Sequence, residues 1–174
     1  MQPQEFSKIV DVCVKFFNEK GIKPYNEETG KGVVRHIYLR KSDYTNSIVV
    51  CLVINSDDLP FSKELVETLK KIECVSGVVL NINKQKTNVI LGKDIKVLYG
   101  DESIVDTLLG VKFKISPLAF FQVNREMTEK LYQCAADFAN VENKTVLDLF
   151  CGAGTIGLTM AKNAKQVIGV EIVP

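Results

Sequence analysis

The chain has 174 residues, 46% of them hydrophobic, enough for one domain or two small ones with a buried core, and nothing in its composition points to disorder. Twenty-two Lys and Arg against 21 Asp and Glu leave a net charge of +1, and neither residues 1–115 (17 basic, 15 acidic) nor residues 116–174 (5 and 6) form an electrostatic arm. The longest apolar run, Ile48 to Ile54, is too short to span a bilayer, and MQPQEFSKIV lacks the basic-then-apolar order of a secretory signal, so a cytoplasmic chain without a membrane partner is expected.

Residues 5–20 carry Phe6, Ile9, Val10, Cys13, Phe16 and Phe17 at helical spacing, with Gly21 as a stop. Two strand-like runs follow, Val33–Lys41 and Ser47–Ile54, joined by Asp43-Tyr44-Thr45-Asn46 as a hairpin. Ser62 can cap a short helix with Leu65, Val66, Leu69 and Ile72 on one face. Strands are expected at Gly77–Ile82 and Asn88–Leu91 around a turn at Asn83–Thr87, and again at Ile95–Leu98 and Lys112–Ser116. Residues 1–115 therefore read as one small α+β unit. From Ser116 the pattern changes. Asn124 can cap a helix whose apolar face is Met127, Leu131, Cys134, Ala135 and Phe138. Lys144–Phe150, Thr155–Asn163 and Gln166–Glu171 then read as strand, helix and strand, a β-α-β unit that implies parallel pairing.

Five cysteines, Cys13, Cys51, Cys74, Cys134 and Cys151, are never closer than 17 positions. No paired-cysteine metal or iron–sulfur motif exists, and the scatter fits reduced thiols. His36 is the sole histidine, so a histidine-rich metal site is excluded.

The stretch VLDLFCGAGTIGL (146–158) is the most informative. Gly152, Gly154 and Gly157 satisfy G-x-G-x-x-G between a strand and a helix, where the backbone turns tightly and a ligand approaches it closely. Glu171 closes the next strand, where its carboxylate can accept two ribose hydroxyls. A nicotinamide or flavin dinucleotide fits these facts, S-adenosylmethionine fits them too, and a turn that only packs helix on sheet is a third reading. Asp148, ahead of the first glycine, is an unfavourable neighbour for a pyrophosphate and a favourable one for an ammonium and a sulfonium. That charge placement favours S-adenosylmethionine. In the first part, alternation along Val33–Lys41 places Val34, His36, Tyr38 and Arg40 on one face and Arg35 on the other. Arg35, His36 and Arg40 are candidates for phosphate contact and stacking with RNA. A solvated strand face is the plainer account.

SPLAFFQVN (116–124), followed by DLFCGAG and VIGVE, resembles the RNA uracil-C5 methyltransferase family, most closely its 23S ribosomal RNA branch, over roughly residues 30–174. The resemblance implies an α/β fold: a small α+β central domain that binds RNA (1–115), then the first β-α-β of a Rossmann-like S-adenosyl-L-methionine-dependent methyltransferase domain (116–174), incomplete. It implies that Gln122, Phe150, Thr155 and Glu171 line the cofactor site, that Gly152 and Gly154 turn beneath the methionine part, and that Phe120 and Gln122 lie near a flipped uracil. Phe121 is expected to pack in the core. The reaction needs a cysteine thiolate at C6 of the base and a general base. The family's Ser-Cys-Asn-Pro-like nucleophile motif has no counterpart in residues 1–174, nor do its iron–sulfur cysteines or its β-barrel. The chain is thus expected to be a fragment, inactive alone, with no catalytic residue of its own and with Gln166–Glu171 as an open edge that is mobile or pairs between copies. An RNA-binding module with a vestigial loop and a dinucleotide-dependent oxidoreductase fragment remain alternatives.

Overall fold

A computed structural model describes residues 3–172. The chain divides into two compact units, Met1–Ile104 with Ser116–Leu118, and Val105–Ile115 with Ala119–Pro174. The division falls ahead of the boundary expected at residue 115, because a hairpin that the sequence reading half missed belongs to the second unit.

The first unit runs α1 (Gln4–Glu19), β1 (Val34–Lys41), β2 (Ile48–Ile54), α2 (Ser62–Leu69), β3 (Val75–Ile82) and β4 (Asp94–Gly100). Its four strands form one sheet in the order β1-β2-β3-β4. β1 and β2 are antiparallel, as the hairpin signal required, β2 and β3 are parallel across α2, and β3 and β4 are antiparallel. All seven residues of β2 are buried, which is why it reads as an unbroken apolar run rather than an alternating one. Ile9, Cys13, Phe16 and Phe17 of α1 and Leu65, Val66 and Leu69 of α2 share one core with Val50, Leu52, Val78 and Leu80. Burial pushes the Cys13 and Cys51 thiols up to about 12, so both are inert packing groups.

Three local expectations are corrected. Ser62 does not cap α2; Phe61, in the left-handed region at φ 58°, holds the cap position and no side chain bonds the helix end. Residues 88–91 form no strand, because side chains rather than a ladder take their carbonyls: Asn83 Nδ2 donates to Val89 O (2.8 Å) and Ile90 O (3.1 Å). The alternation expected along β1 is broken at Arg35, where the register shifts between Val34 and His36.

The second unit comprises β5 (Ile104–Leu108), β6 (Val111–Ile115), α3 (Arg125–Ala139), β7 (Thr145–Leu149), α4 (Thr155–Met160) and β8 (Gln166–Val170). β5 and β6 pair through Leu109-Gly110, both at positive φ (48° and 78°), the backbone of a tight primed hairpin. Leu109 carries none of the usual turn chemistry, so β5 escaped the sequence reading. β7 and β8 run parallel with α4 as the crossover, as expected. Asn124 caps α3, its Oδ1 accepting from Met127 N at 3.1 Å. The buried face of α3 is Thr128 and Tyr132, not the expected stripe, for Met127, Leu131, Cys134 and Phe138 are exposed. Among the described residues no helix is long and apolar enough to cross a membrane. The edge expected at Gln166–Glu171 is β8, which among the described residues pairs with β7 alone in a two-stranded sheet.

Candidate functional site

The glycine loop is built by the β7–α4 turn in the second unit. Phe150, at φ 58°, and Gly152 and Gly154, at 53° and 70°, all occupy the left-handed region. Glycine accepts this freely, whereas Phe150 is held there against its preference. The Phe150 ring is 84% exposed. A side-chain carbon at Gly152 would meet nothing within 4 Å, so the backbone lies open to an approaching ligand.

Glu171, just past β8, faces this loop. Its Oε2 accepts from Gly152 N and its Oε1 from Ile172 N, each at 2.8 Å. The carboxylate is thereby fixed beside the open turn. Cys151 N donates to Val170 O at 3.1 Å, which ties the loop to the end of β8. The Cys151 sulfur packs toward Gly169, where an added carbon would stand 3.0 Å from it. These features fit an adenosine: an anchored carboxylate for two ribose hydroxyls, an exposed aromatic ring and an unshielded backbone.

Asp148, at the end of β7, bonds to the start of α4. Its Oδ2 accepts from Gly157 N at 2.9 Å, inside the first turn of α4. It joins helix to strand, and Gly157 is glycine because a side-chain carbon there would come within 2.8 Å of both Asp148 Oδ2 and Val167 Cγ1. This bond ties one carboxylate oxygen, Oδ2, to the scaffold.

Thr155 opens α4, and its Oγ1 lies 2.9 Å from the hydroxyl of Tyr132 on α3. Sequence reasoning missed Tyr132, which falls outside the apolar stripe; its spacing of four from the buried Thr128 was the available signal. Ahead of α3, Phe120 and Gln122 are exposed, while Phe121 is half-buried, its ring centre 6.2 Å from that of Phe113. Arg125 sits 3.8 Å from the buried Asp106 and 3.4 Å from Glu129, whose Oε1 also accepts from Leu109 N. These contacts brace the hairpin against the start of α3.

The three RNA candidates of the first unit diverge. The Arg35 side chain is 1% exposed. Its Nη1 donates to the carbonyls of Asn83 (2.9 Å) and Gln85 (2.8 Å), and its Nη2 to that of Thr87 (3.0 Å). The guanidinium lies 4.5 Å from the centre of the Tyr25 ring. Arg35 therefore organises the loop after β3 and is not offered to a phosphate. Arg40 donates to Tyr38 Oη at 2.6 Å, with its guanidinium 5.6 Å from the Tyr38 ring. His36 and Arg40 are both half-buried on β1.

Comparison with known proteins supplies the family. The sequence model described as tRNA (Uracil-5-)-methyltransferase matches residues 45–174. An uncharacterized RNA methyltransferase of Halalkalibacterium halodurans is 43% identical over all of this chain and 38% of its own length. Another, from Listeria innocua, is 47% identical over 88% of this chain and 34% of its own. Among solved structures, the Pyrococcus abyssi tRNA (uracil-54, C5)-methyltransferase, in complex with S-adenosyl-L-homocysteine, is 26% identical with a TM-score of 0.78, over 93% of this chain and 39% of that one. The chain spans about two-fifths of the length of these proteins. The match over residues 45–174, which takes in FFQVN, the glycine loop and Glu171, means that this chain belongs to the tRNA (uracil-5-)-methyltransferase family.

Proposed function

We propose that this chain forms the RNA-contacting region and cofactor loop of an S-adenosyl-L-methionine-dependent enzyme that methylates C5 of uridine in 23S ribosomal RNA. The observation that carries the reading is the Glu171 carboxylate held on Gly152 N–H beside an open glycine turn, in a chain of this family. Glu171 accepts the ribose hydroxyls. Phe150 packs on the cofactor, and Gly152 and Gly154 let it approach the backbone. Thr155 donates to its amino-acid end. The bound cofactor supplies the methyl group. Phe120 and Gln122 meet the target base, which must leave its stack to be reached. In the first unit, Arg40 and His36 contact RNA.

A cysteine thiolate bonds to C6, C5 takes the methyl group, a base removes the C5 proton, and the C6–S bond breaks. None of the five cysteines here supplies that thiolate. Cys13 and Cys51 are buried with raised thiol pKa, and none of the five stands in a Ser-Cys-Asn-Pro-like segment. On this reading the chain by itself is expected not to methylate RNA, the nucleophile belonging to the part of the whole protein outside these 174 residues, which span about two-fifths of the relatives' length.

A transfer RNA substrate is the second reading, favoured by the family's description and by the Pyrococcus enzyme. Deleting the source gene and measuring 5-methyluridine by mass spectrometry in separated 23S ribosomal and transfer RNA decides between them: loss from 23S alone supports the proposal, and loss from transfer RNA alone overturns it. Calorimetry of the 174-residue chain should detect S-adenosylhomocysteine and not NADH, whereas the reverse would make this a dinucleotide site.

A further inference from the structure

The apolar residues of α3 are exposed, yet a tyrosine is buried. Tyr132 is 4% exposed. Its hydroxyl has one partner among the described residues, Thr155 Oγ1 at 2.9 Å. A buried phenol needs an acceptor for its proton. If Thr155 were the donor, that proton would have none, so the arrangement that satisfies both groups has Tyr132 donating to Thr155 Oγ1.

Where the Thr155 proton then goes follows from the other threonines. Thr68, Thr128 and Thr159 each return their hydroxyl proton to a carbonyl of their own helix or its cap, at 2.9, 2.7 and 2.7 Å. Thr155 makes no such bond among the described residues. It is the first residue of α4, with no full turn of helix behind it. Its proton is free, and the residue stands directly after Gly154 at the mouth of the loop.

The charge inventory says what that proton is for. Residues 146–161 contain no Lys and no Arg. Within this segment a negatively charged ligand group meets only neutral donors. We propose that Tyr132 is a positioning residue: by donating to Thr155 Oγ1 it turns the Thr155 hydroxyl outward, as a donor to the carboxylate at the amino-acid end of the cofactor. This rests on the cofactor reading above.

The test is calorimetry of the 174-residue chain with two ligands, S-adenosylhomocysteine and 5′-methylthioadenosine, which keeps the adenosine and thioether but lacks the amino acid. Tyr132→Phe should weaken the first by about fivefold, the worth of one neutral hydrogen bond, and leave the second unchanged. Thr155→Val should do the same, and the double variant should be no weaker than Thr155→Val alone. Equal losses for both ligands, or additive losses in the double variant, overturn the proposal while the cofactor reading stands. Should Tyr132→Phe fail to fold, Thr155→Val alone decides by the same ligand selectivity. If the folded native chain binds neither ligand, the cofactor reading fails and this inference with it.

Discussion

The two units bury their apolar residues to very different extents. In the first, β2 is buried along its whole length and two helices close one core over the sheet. In the second, Leu147, Leu149, Ile168 and Val170 on β7 and β8 are each more than 40% exposed, and Phe138 of α3 is 88% exposed. Yet the second unit holds the glycine loop, whose polar contacts are specific: Asp148 to Gly157 N, Glu171 to Gly152 N, Tyr132 to Thr155. Stability in the first unit comes from packed area, which is non-directional. Geometry in the second comes from a few hydrogen bonds, which are directional and individually small.

The largest effect should break the first unit. Leu52→Ala, at a fully buried position of β2, is expected to cost about 2–5 kcal/mol, whereas Leu147→Ala on the exposed strand face should stay within about 0.5 kcal/mol. Urea unfolding of both variants measures the contrast, and similar losses would dissolve it. Next comes Arg35→Met, which strips three loop carbonyls of their donor and should cost on the order of 3 kcal/mol. If instead Arg35 serves RNA, this variant will keep its stability and lose RNA affinity in a filter-binding assay.

Smaller again is Gly157→Ala, which pushes a carbon against Asp148 and Val167 and should cost about 1–3 kcal/mol. Hydrogen exchange at the Gly152–Leu158 amides should report the loosened loop while β2 stays protected. Glu171→Gln should weaken S-adenosylhomocysteine about tenfold, the worth of one charge-assisted hydrogen bond, with little change in the urea midpoint.

The smallest effect is electrostatic. A 2.9 Å hydrogen bond from Lys41 holds the Glu5 carboxyl below the ordinary carboxylate range, and the same contact raises Lys41. The Glu5 contribution is present above the ordinary carboxylate pKa and is lost as pH falls through the lowered folded value. The Lys41 contribution is present below the ordinary lysine pKa and is lost as pH rises through the raised one. Glu5→Gln should flatten both limbs of the urea midpoint against pH, by far less than Leu52→Ala lowers it.

The sequence by itself determined what local pattern encodes. The apolar run of β2, the helical spacing of α1, the Asn124 cap and the β-α-β around three glycines are all read from neighbours along the chain, because propensity, capping and turn chemistry act over a few residues. Only the tertiary structure decided which groups those elements spend on one another. Arg35 looked like a basic residue on a strand and is the buried clamp of a loop fifty residues away, because a bulge turns it out of register. Asp148 looked like a ligand group and braces α4. Met127, Leu131 and Phe138 share a helical face, but periodicity identifies a face without saying what covers it, so Thr128 and Tyr132 are buried in their place. A hydrogen bond between residues far apart in sequence leaves no periodic trace, and the arrangement of this glycine loop is made of such bonds.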